Sequence, residues 1–549
     1  MRMLSLLIKM IELTSTHKIS LLMEYYFTLT LVLCVPIFFV LFRRYSSVTT
    51  KNPPPSPPKL PFLGNLHQLD SHPHRSLQAL AHHHGPLMLL HFGSVPVLVV
   101  STAEVAREVL KTHDLTIASR PKSTVFKKLL YNYKDLASAP YSEYWRQLRS
   151  ICVLNLLSTK KVCSFRAVRE DEAKIMINRI EQSCISSSSK SSVVNLREIF
   201  VMLTIDLACR VTTGRKYNSV VGEDGDKILF KDLVWEFIEL LGGIYIGDYI
   251  PWLAWLTRVN GLDSKLDKVA KQFDDLLDRV IQDHIDQRSK CGNINDNVNH
   301  PDDQEENGQN DFVDVLLGIQ EDNSSIGLPI DRVTVKALLL DMFSGGTDTS
   351  YTLLEWTMAE LLRHPRVMKK LQNEVRGIAG NKSEINEDDL NGMNYLKAVI
   401  KETLRLHPPL TLLFRISTED MKIKGYNVKA NTQIIDNAWQ IGRDPKSYNN
   451  PDKYEPERFL NSDVDYKGNH FEFIPFGAGR RSCPGIQYAA MVNEIALANL
   501  VHKFDWLVPG GVGAHDIDMT ESTGVKTQMK YPLKAVAIPY SYKIKTEEL

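Results

Sequence analysis

The chain has 549 residues, of which 43% are hydrophobic and 24% are charged. A chain of this length and composition forms one large globular domain or a few smaller ones. Its 65 basic residues balance its 65 acidic residues, so charge gives no reason to expect nucleic-acid binding. The seven cysteines form no closely spaced framework, which is typical of a reducing compartment.

An apolar run over residues 25–42 carries no charged residue and is long enough to span a bilayer, which takes about 17–25 residues. Arg43 and Arg44 follow at once, and the positive-inside rule places that end in the cytosol. We therefore predict an uncleaved signal-anchor helix over residues 23–44, with the rest of the chain in the cytosol. The Pro-rich linker over residues 45–62 is expected to be stiff and extended.

Past the linker, residues 63–549 are typical of one mainly α-helical domain with small β-sheets. Two apolar runs, Leu87–Phe92 and Val95–Ser101, are separated by a Gly-Ser pair and predict a β-hairpin. The Ser-rich segment 183–192 and the Asn- and Asp-rich segment 291–310 carry few core-forming residues. These two segments are predicted to be disordered.

Two short motifs lie on predicted helices. Trp145 and Arg149 are four residues apart, so they share one helical face, as they also would in an ordinary amphipathic helix. The run Gly345-Gly-Thr-Asp-Thr-Ser350 lies inside an apolar helix, where glycines weaken the helix and a Thr hydroxyl competes for backbone carbonyls. We expect a bent, opened helix here; the alternative is a patch of hydroxyl residues on a core helix.

A third motif combines charged residues that are distant in the sequence. Glu402 and Arg405 are three residues apart on a predicted helix and can form an ion pair. Alone, such a pair is common on protein surfaces and has little energetic meaning. The run Pro456-Glu-Arg-Phe459 follows about fifty residues later and supplies a second arginine, Arg458.

The most informative motif is Phe476-Gly-Ala-Gly-Arg-Arg-Ser-Cys-Pro-Gly485. A cysteine thiolate that ligates haem iron needs nearby N–H donors and glycines that permit a positive φ, which Gly479 and Gly485 can supply. The alternative interpretation, a buried structural cysteine, would be preferred for a lone cysteine but not for this complete pattern.

In content and in order, these four motifs resemble the cytochrome P450 family, and the resemblance extends from about Pro53 to the C-terminus. The amino-acid sequences of three segments, residues 54–58, 144–149 and 476–481, are similar to those of the plant A-type group. The resemblance implies the cytochrome P450 fold over residues 63–549, with haem b as the cofactor. It implies an axial iron ligand in Cys483, carried on a loop that includes Phe476, Gly479 and Gly485.

The resemblance also assigns roles to the remaining motif residues. Haem propionates would be met by Trp145, Arg149 and Arg481. Thr349 and Asp348 would form the catalytic alcohol and acid that deliver protons to iron-bound oxygen. A buried triad beneath the haem would be formed by Glu402, Arg405 and Arg458.

The implied activity is that of a monooxygenase that hydroxylates a lipophilic plant metabolite with O2. Electrons would come from NADPH through a separate membrane-bound NADPH–cytochrome P450 reductase that docks near Cys483. The family's location implies a single-pass protein of the endoplasmic reticulum membrane. Two competing interpretations are a P450 that rearranges peroxides without O2 and a haem protein that only binds or senses; the intact Asp348-Thr349 pair argues against both.

The segments that line the family's substrate pocket are mostly apolar here, which favours a lipophilic substrate and, among plant metabolites, a terpenoid. Coumarins, other phenylpropanoids and alkaloids are the alternatives. The apolar candidates for the pocket wall are Leu339, Leu340, Phe343, Leu410, Leu412, Leu413 and Val525. In the plant A-type group, Ala is common at the position of Gly345. The glycine here predicts a slightly roomier pocket at the oxygen site. The family usually has Pro at the position of Phe414. This difference leaves open the geometry of the local strand and a propionate-binding role for Arg415.

The charges of residues 1–22 oppose the predicted membrane orientation, because Arg2, Lys9 and Lys18 lie on the lumenal side. We predict that translation usually starts at Met23 and that residues 1–22 are an upstream extension. N-terminal sequencing of the protein from native tissue would then begin at or after Met23. Peptides that cover Met1 to Leu22 would contradict this prediction.

Overall fold

The computed structural model of the chain describes residues 23–38, 51–186, 192–217, 219–221, 227–292, 310–322, 330–511, 513–524 and 526–540. The chain divides into two compact units, Met1–Pro53 and Pro54–Leu549. In the first unit, helix α1 spans residues 23–38 and its side chains are exposed. Among the described residues, no helix combines the length and the apolar character needed to cross a membrane. The predicted extension 1–22 and the remainder of the predicted anchor lie outside the described residues.

Helices dominate the second unit, as the sequence predicts. The helices of its first half are α2 Pro73–His84, α3 Ala103–Arg107, α4 Thr124–Leu129, α5 Glu143–Ile151, α6 Thr159–Ser164, α7 Arg166–Ser186, α8 Leu196–Thr213, α9 Phe230–Leu241, α10 Ile246–Tyr249, α11 Leu256–Val259 and α12 Leu262–Gly292. Those that follow are α13 Phe312–Glu321, α14 Arg332–Arg363, α15 Pro365–Ala379, α16 Asn394–Leu406, α17 Ala438–Ile441 and α18 Ile486–Lys503.

The strands are short and form small sheets. They are β1 Leu87–Phe92, β2 Val95–Val100, β3 Ser192–Asn195, β4 Ser219–Val221, β5 Lys227–Leu229, β6 Leu412–Ile416, β7 Met421–Ile423, β8 Tyr426–Val428, β9 Gln433–Asn437, β10 Phe504–Leu507 and β11 Lys534–Pro539. The first two form the predicted antiparallel hairpin.

The long helix α14 is the centre of the helical core. The carboxylate of Asp331 caps its first turn by accepting a hydrogen bond from the backbone N–H of Thr334 at 2.7 Å. Buried side chains occur all round the helix rather than on one stripe, as expected for a helix surrounded by protein. It packs along α8 and also contacts α16 and α18. These neighbours bury Thr347 and Asp348 of the Gly-Gly-Thr-Asp-Thr motif, whereas Gly345 remains exposed on one side of the helix.

The four-stranded sheet has the order β1-β2-β9-β6, with β2 and β9 parallel and the other pairs antiparallel. Strand β6 keeps a regular register through Phe414, which pairs with Ile435, so the unusual residue at 414 does not interrupt the strand. Arg415 lies opposite Ile434, and Leu413 lies opposite Asp436. Arg415 and Asp436 are therefore diagonal neighbours on one face of the sheet.

The two segments predicted to be disordered are partly helical. Helix α7 continues through Ser186 and β3 begins at Ser192, so the helical end of the first segment contradicts the prediction. Helix α12 likewise continues to Gly292. Residues 187–191 and 293–309 lie outside the described residues. Composition did not predict this helix end, because serine has only a moderate intrinsic helix propensity. Packing against neighbouring elements can override that propensity.

Candidate active site

A cavity of about 320 Å³ lies inside the second unit, between α5, α14, strand β6 and the loop that precedes α18. Most of the predicted site residues lie on its wall. Those on the wall are Trp145, Arg149, Thr349, Phe476, Arg481, Cys483 and Gly485. Gly479 and Asp348 are not on this wall, and neither are the triad residues Glu402, Arg405 and Arg458. The predicted residues that do line it come from three elements: α5, α14 and the loop that leads into α18.

The loop that carries Cys483 is shaped by two glycines with left-handed backbone conformations. Gly477 has φ +70° and Gly479 has φ +68°. A Cβ atom on Gly479 would lie 2.4 Å from Asp114 Oδ1, so a side chain would collide with the neighbouring segment. The loop closes on itself because the N–H of Cys483 donates to the carbonyl of Phe476 at 2.9 Å. These constraints fix the direction of the cysteine.

Gly485 plays a different part from the one predicted. Its φ is −90°, which any residue can adopt, so the prediction of a left-handed conformation is wrong at this position. Gly485 is instead the N-cap of α18, and a Cβ atom there would lie 3.8 Å from Cys483 Sγ. The left-handed residue that was missed is Gly477, whose place between Phe476 and Ala478 gave no separate signal.

The thiol of Cys483 is half-buried and lines the cavity. Burial raises its pKa, while a hydrogen bond from the backbone N–H of Gly485 and the charge of Arg149 act in the opposite direction. Arg149 also donates to Ser482 Oγ at 3.4 Å. The donor set thus favours a bound anionic sulfur once a cation holds it there.

Positive charge converges on the same cavity. Four guanidinium groups line the wall, those of Arg120, Arg149, Arg415 and Arg481. Burial and the neighbouring Arg120 and Arg415 lower the pKa of Arg481 to about 8. Burial and Arg415 lower the pKa of Arg120 to about 9. Guanidinium groups keep their proton in proteins, and the carboxylates of Asp135 and Asp436 offset the lowering of these pKa values only in part, so a bound anion would be stabilised here.

Two members of this group are tied to the backbone. Arg481 donates to the carbonyls of Ala118, Leu136 and Ala139, and its guanidinium lies 4.1 Å from the centre of the Trp145 ring. The indole N–H of Trp145 also donates to the Leu136 carbonyl, at 3.0 Å. The predicted haem-side residues Trp145 and Arg481 therefore share one carbonyl and hold each other in place.

Arg415 is the guanidinium with buried donors left over. One nitrogen donates to the carbonyl of Ala478 at 2.8 Å, whereas Nε and Nη1 are buried without a hydrogen-bond partner. Its nearest carboxylate, Asp436, lies 3.7 Å away and has both oxygens buried and unpaired. Buried polar atoms in folded proteins are normally paired. The propionates of a haem would supply the missing acceptors and Cys483 the ligand for its iron, so the residues of the cavity fit an iron porphyrin.

Arg120, Arg415 and Asp436 had not been assigned to the site from the sequence. The sequence leaves the role of Arg415 open because Phe414 replaces the proline that is usual in the family. A charged residue in the middle of the otherwise apolar strand β6 is the signal that could have identified it, since a buried arginine requires a partner.

The distal part of the wall is built by α14. The hydroxyl of Thr349 donates to the carbonyl of Gly345 at 2.7 Å, which is the competition for a backbone carbonyl that the sequence predicts. Helix α14 nevertheless runs without a break from Arg332 to Arg363. A Cβ atom on Gly345 would meet nothing within 4 Å, so this glycine leaves open space in the cavity wall. This agrees with the predicted roomier site.

Asp348 is turned toward other partners than Thr349. Its Oδ2 lies 2.8 Å from Lys526 Nζ, and its Oδ1 accepts a hydrogen bond from the hydroxyl of Tyr351 at 3.0 Å. Residues next to each other on a helix do not face the same way. The predicted acid and alcohol are thus adjacent in sequence but lie in different surroundings.

The predicted charged triad forms. Arg405 holds both oxygens of Glu402, at 2.8 Å each, and Arg458 Nε donates to Glu402 Oε1 at 3.0 Å. The side chains of Glu402 and Arg405 are fully buried, and that of Arg458 is 13% exposed. Arg405 also donates to the carbonyls of Gly442 and Pro451. The triad connects α16 to the Pro456–Phe459 turn and to the segment after β9.

The predicted apolar pocket wall is only partly at the cavity. Leu410 and Leu413 line it. Leu339, Leu340, Phe343 and Leu412 are buried in the hydrophobic core and do not line it. Val525 lies outside the described residues. Met342 contributes to the wall in place of Leu339, Leu340 and Phe343, because each turn of α14 presents only one or two residues to the cavity.

Comparison with known proteins agrees with the fold and the cavity. The family described as Cytochrome P450 matches residues 54–535. Cytochrome P450 736A117 of Prunus mume is 61% identical over 92% of this chain and 95% of that protein. Norfluorocurarine oxidase of a Strychnos species is 50% identical over 90% of this chain and 95% of that protein. A zebrafish cytochrome P450, in a structure with abiraterone, shares the fold with a TM-score of 0.67 at 23% identity, covering 85% of this chain and 100% of that chain.

The fold and the family match are those of a monooxygenase. The chain belongs to the cytochrome P450 family, and it is a monooxygenase similar to those of plant secondary metabolism. The family implies haem iron as the cofactor.

We predict that Glu402→Ala lowers the free energy of unfolding by about 3–5 kcal/mol, because two buried guanidinium groups lose their counter-ion. Glu455→Ala is the matched control, since it removes a partly exposed carboxylate 3.3 Å from the same Arg458 and should cost less than about 1 kcal/mol. Chemical denaturation of both variants measures the difference. Equal losses would show that the triad has no special weight.

Proposed function

We propose that this protein uses haem b, O2 and electrons from NADPH to hydroxylate a lipophilic plant specialised metabolite, a terpenoid being favoured. The observation that carries the proposal is the placement of Cys483 and Thr349 on one buried cavity whose wall is largely apolar. When bound, haem supplies the activation of O2 and its insertion into a C–H bond.

The residues around the haem would hold it by charge and by direction. Arg149 and Arg415 supply guanidinium donors for the propionates, while Arg481 and Trp145 keep that side of the cavity rigid. Cys483 supplies the axial sulfur, and its loop is held by Phe476, Gly479 and Gly485. The triad of Glu402, Arg405 and Arg458 would hold α16 against the Pro456–Phe459 turn.

Thr349 would pass protons into the cavity. Its Oγ1 can release a proton toward the haem side and take another from an acid or from water, so the hydroxyl is restored after each transfer. Asp348 is the nearest acid in sequence and is proposed as the source. In the described arrangement its carboxylate is engaged by Lys526 and Tyr351, so the delivery requires a change of side-chain position.

The substrate is proposed to be held by shape more than by charge. The distal wall offers Met342, Leu410 and Leu413 as apolar contacts. Asp341 also lies on this wall, but burial and the nearby Asp135 raise its pKa well above the usual range. This direction disfavours a negative charge at that part of the wall. Coumarin, phenylpropanoid and alkaloid substrates are the alternatives, and one relative is named for the oxidation of norfluorocurarine.

Membrane attachment is part of the proposal. We propose a single-pass anchor over residues 23–44, a linker over 45–62 and a haem domain over 63–549 that faces the cytosol at the endoplasmic reticulum. Phe62, the last residue of the linker, contacts Trp252 of the haem domain with ring centres 6.4 Å apart, and both are exposed. Such exposed aromatic residues suit an interface with lipid.

The electron donor is proposed to be NADPH–cytochrome P450 reductase, which would dock near the Cys483 loop. Arg480, within the loop, has a side chain that is 48% exposed and pairs with Asp114 at 3.2 Å, which leaves part of its guanidinium for a partner. An acidic surface on a partner would be steered to such a site. Alternatives are an oxygen-independent P450 that rearranges a peroxide and a haem protein without catalysis.

The test uses microsomes that contain this protein and a plant reductase, given a panel of terpenoids, coumarins and alkaloids that includes norfluorocurarine. A product one oxygen heavier that requires NADPH would support the proposal and identify the substrate class. Turnover of an added organic peroxide without NADPH would favour the oxygen-independent alternative. No turnover of either kind by a haem-loaded protein would favour the non-catalytic one.

We predict that Cys483→Ala abolishes the red-shifted absorption band of the reduced carbon monoxide complex, because that band requires a thiolate ligand. Cys152→Ala, which removes a fully buried thiol outside the Cys483 loop, is the control and should keep the band. Spectra of membranes from both variants measure this, with protein amounts compared by immunoblot. A band that survives in Cys483→Ala would refute the ligand assignment.

We predict that Thr349→Ala keeps haem but lowers the yield of product per NADPH by about tenfold, with release of hydrogen peroxide instead, because the proton-donating hydroxyl is lost. Thr357→Ala is the matched control. Its hydroxyl makes the same kind of bond on the same helix, to the carbonyl of Leu353 at 2.7 Å, but away from the cavity. Unchanged coupling in Thr349→Ala would count against the relay.

A further inference from the structure

Both oxygens of the Asp348 carboxylate are occupied. One is held by the ammonium group of Lys526 at 2.8 Å, and the other accepts from the Tyr351 hydroxyl at 3.0 Å. The side chain of Asp348 is 11% exposed and that of Lys526 is 22% exposed, so water screens this ion pair only in part. The hydroxyl of Thr349 meanwhile donates to its own helix. In this arrangement the acid makes no contact with the alcohol that it is proposed to serve.

Lys526 connects α14 to two elements that surround the substrate space. Its ammonium group also donates to the carbonyl of Ile238, near the end of α9, at 3.1 Å. Its backbone forms a β-bridge with Leu410, which lines the cavity. A displacement of Leu410 or of the end of α9 would therefore be felt at the ammonium group.

Tyr351 is linked to the same helix by a different route. Its ring is buried and stacks on Trp235 of α9, with centres 6.0 Å apart and planes 28° apart. Burial and the neighbouring Asp348 raise the pKa of Tyr351, so it remains a donor to the carboxylate. Each of the two partners of Asp348 is thus attached to α9, one through Ile238 and one through Trp235.

We infer that Lys526 is a positioning residue that holds Asp348 away from Thr349 until substrate displaces α9 and Leu410. Release lets a carboxyl oxygen of Asp348 carry a proton from solvent to Thr349 Oγ1, whose own proton moves into the cavity; no bond other than those to protons changes. Substrate binding and proton delivery are thereby coupled. The inference rests on the proposed relay role of Asp348 and Thr349.

The test measures NADPH oxidation and peroxide release by the full-length, haem-loaded protein with reductase and without substrate. Lys526→Met keeps the length of the side chain and removes its charge. We expect it to raise both rates by up to about fivefold, the upper end of what one partly exposed ion pair contributes, and to lower the solvent deuterium isotope effect. Lys526→Arg, which keeps the charge, should behave like the parent protein.

The matched control is Lys530→Met. Lys530 lies four residues further along the same segment, is exposed and contacts the ring of Tyr531. It should leave the rates and the isotope effect unchanged. An equal rise in this variant would mean that any loss of charge in the segment has the effect, which would overturn the inference.

A second measurement does not depend on activity. Thermal unfolding of Lys526→Met, Asp348→Asn and the double variant shows whether the two residues interact in solution. We expect the double variant to lose no more stability than the more affected single variant, whereas additive losses would contradict the contact. If Lys526→Met unfolds earlier but oxidises NADPH at the parent rate, its role is structural and the inference fails. If Thr349→Ala keeps full coupling, the relay itself fails, whatever Lys526→Met does.

Discussion

Buried positive charge is the constraint on which the rest of this structure depends. Arg120, Arg149, Arg415 and Arg481 converge on one cavity, and burial together with mutual repulsion lowers the pKa of Arg481 to about 8. Such groups cannot shed their charge, and an uncompensated buried charge is costly. A bound anion would offset this buried positive charge. The prosthetic group is therefore expected to stabilise the fold as well as to supply its chemistry, because it binds the folded state alone.

The remaining architecture keeps these charges and the thiol in fixed relation. The register of β6 on β9 sets the position of Arg415, and the left-handed Gly477 and Gly479 direct Cys483. Glu402 joins two arginines from segments that are more than fifty residues apart in the chain. The strand register, the two glycines and the triad each restrain a different element. The geometry of the site therefore depends on several independent contacts.

The sequence identified the residues whose chemistry is unusual, and it did less well where tertiary contacts decide. Cys483 could be recognised because its motif is long and its chemistry demands specific neighbours, whereas Glu402 and Arg458 could be joined only through the resemblance to the family. Whether Leu340 or Met342 faces the cavity depends on the rotation of α14 about its axis, which apolar residues on all sides do not specify. The pairing of Asp348 with Lys526 joins positions 178 residues apart and has no local signal. The helical end of α7 depended on packing that composition does not reveal.

The Asp348-Thr349 pair shows why a sequence motif need not be one structural unit. Consecutive helical residues are directed about 100° apart, so an acid and an alcohol at these positions are bound to meet different neighbours at rest. Thr349 faces the cavity, and Asp348 faces the two groups attached to α9. For the pair to act together, one side chain must leave its partners. The free energy for that step has to come from a process that moves those partners, and occupation of the adjoining substrate space is the process nearest at hand.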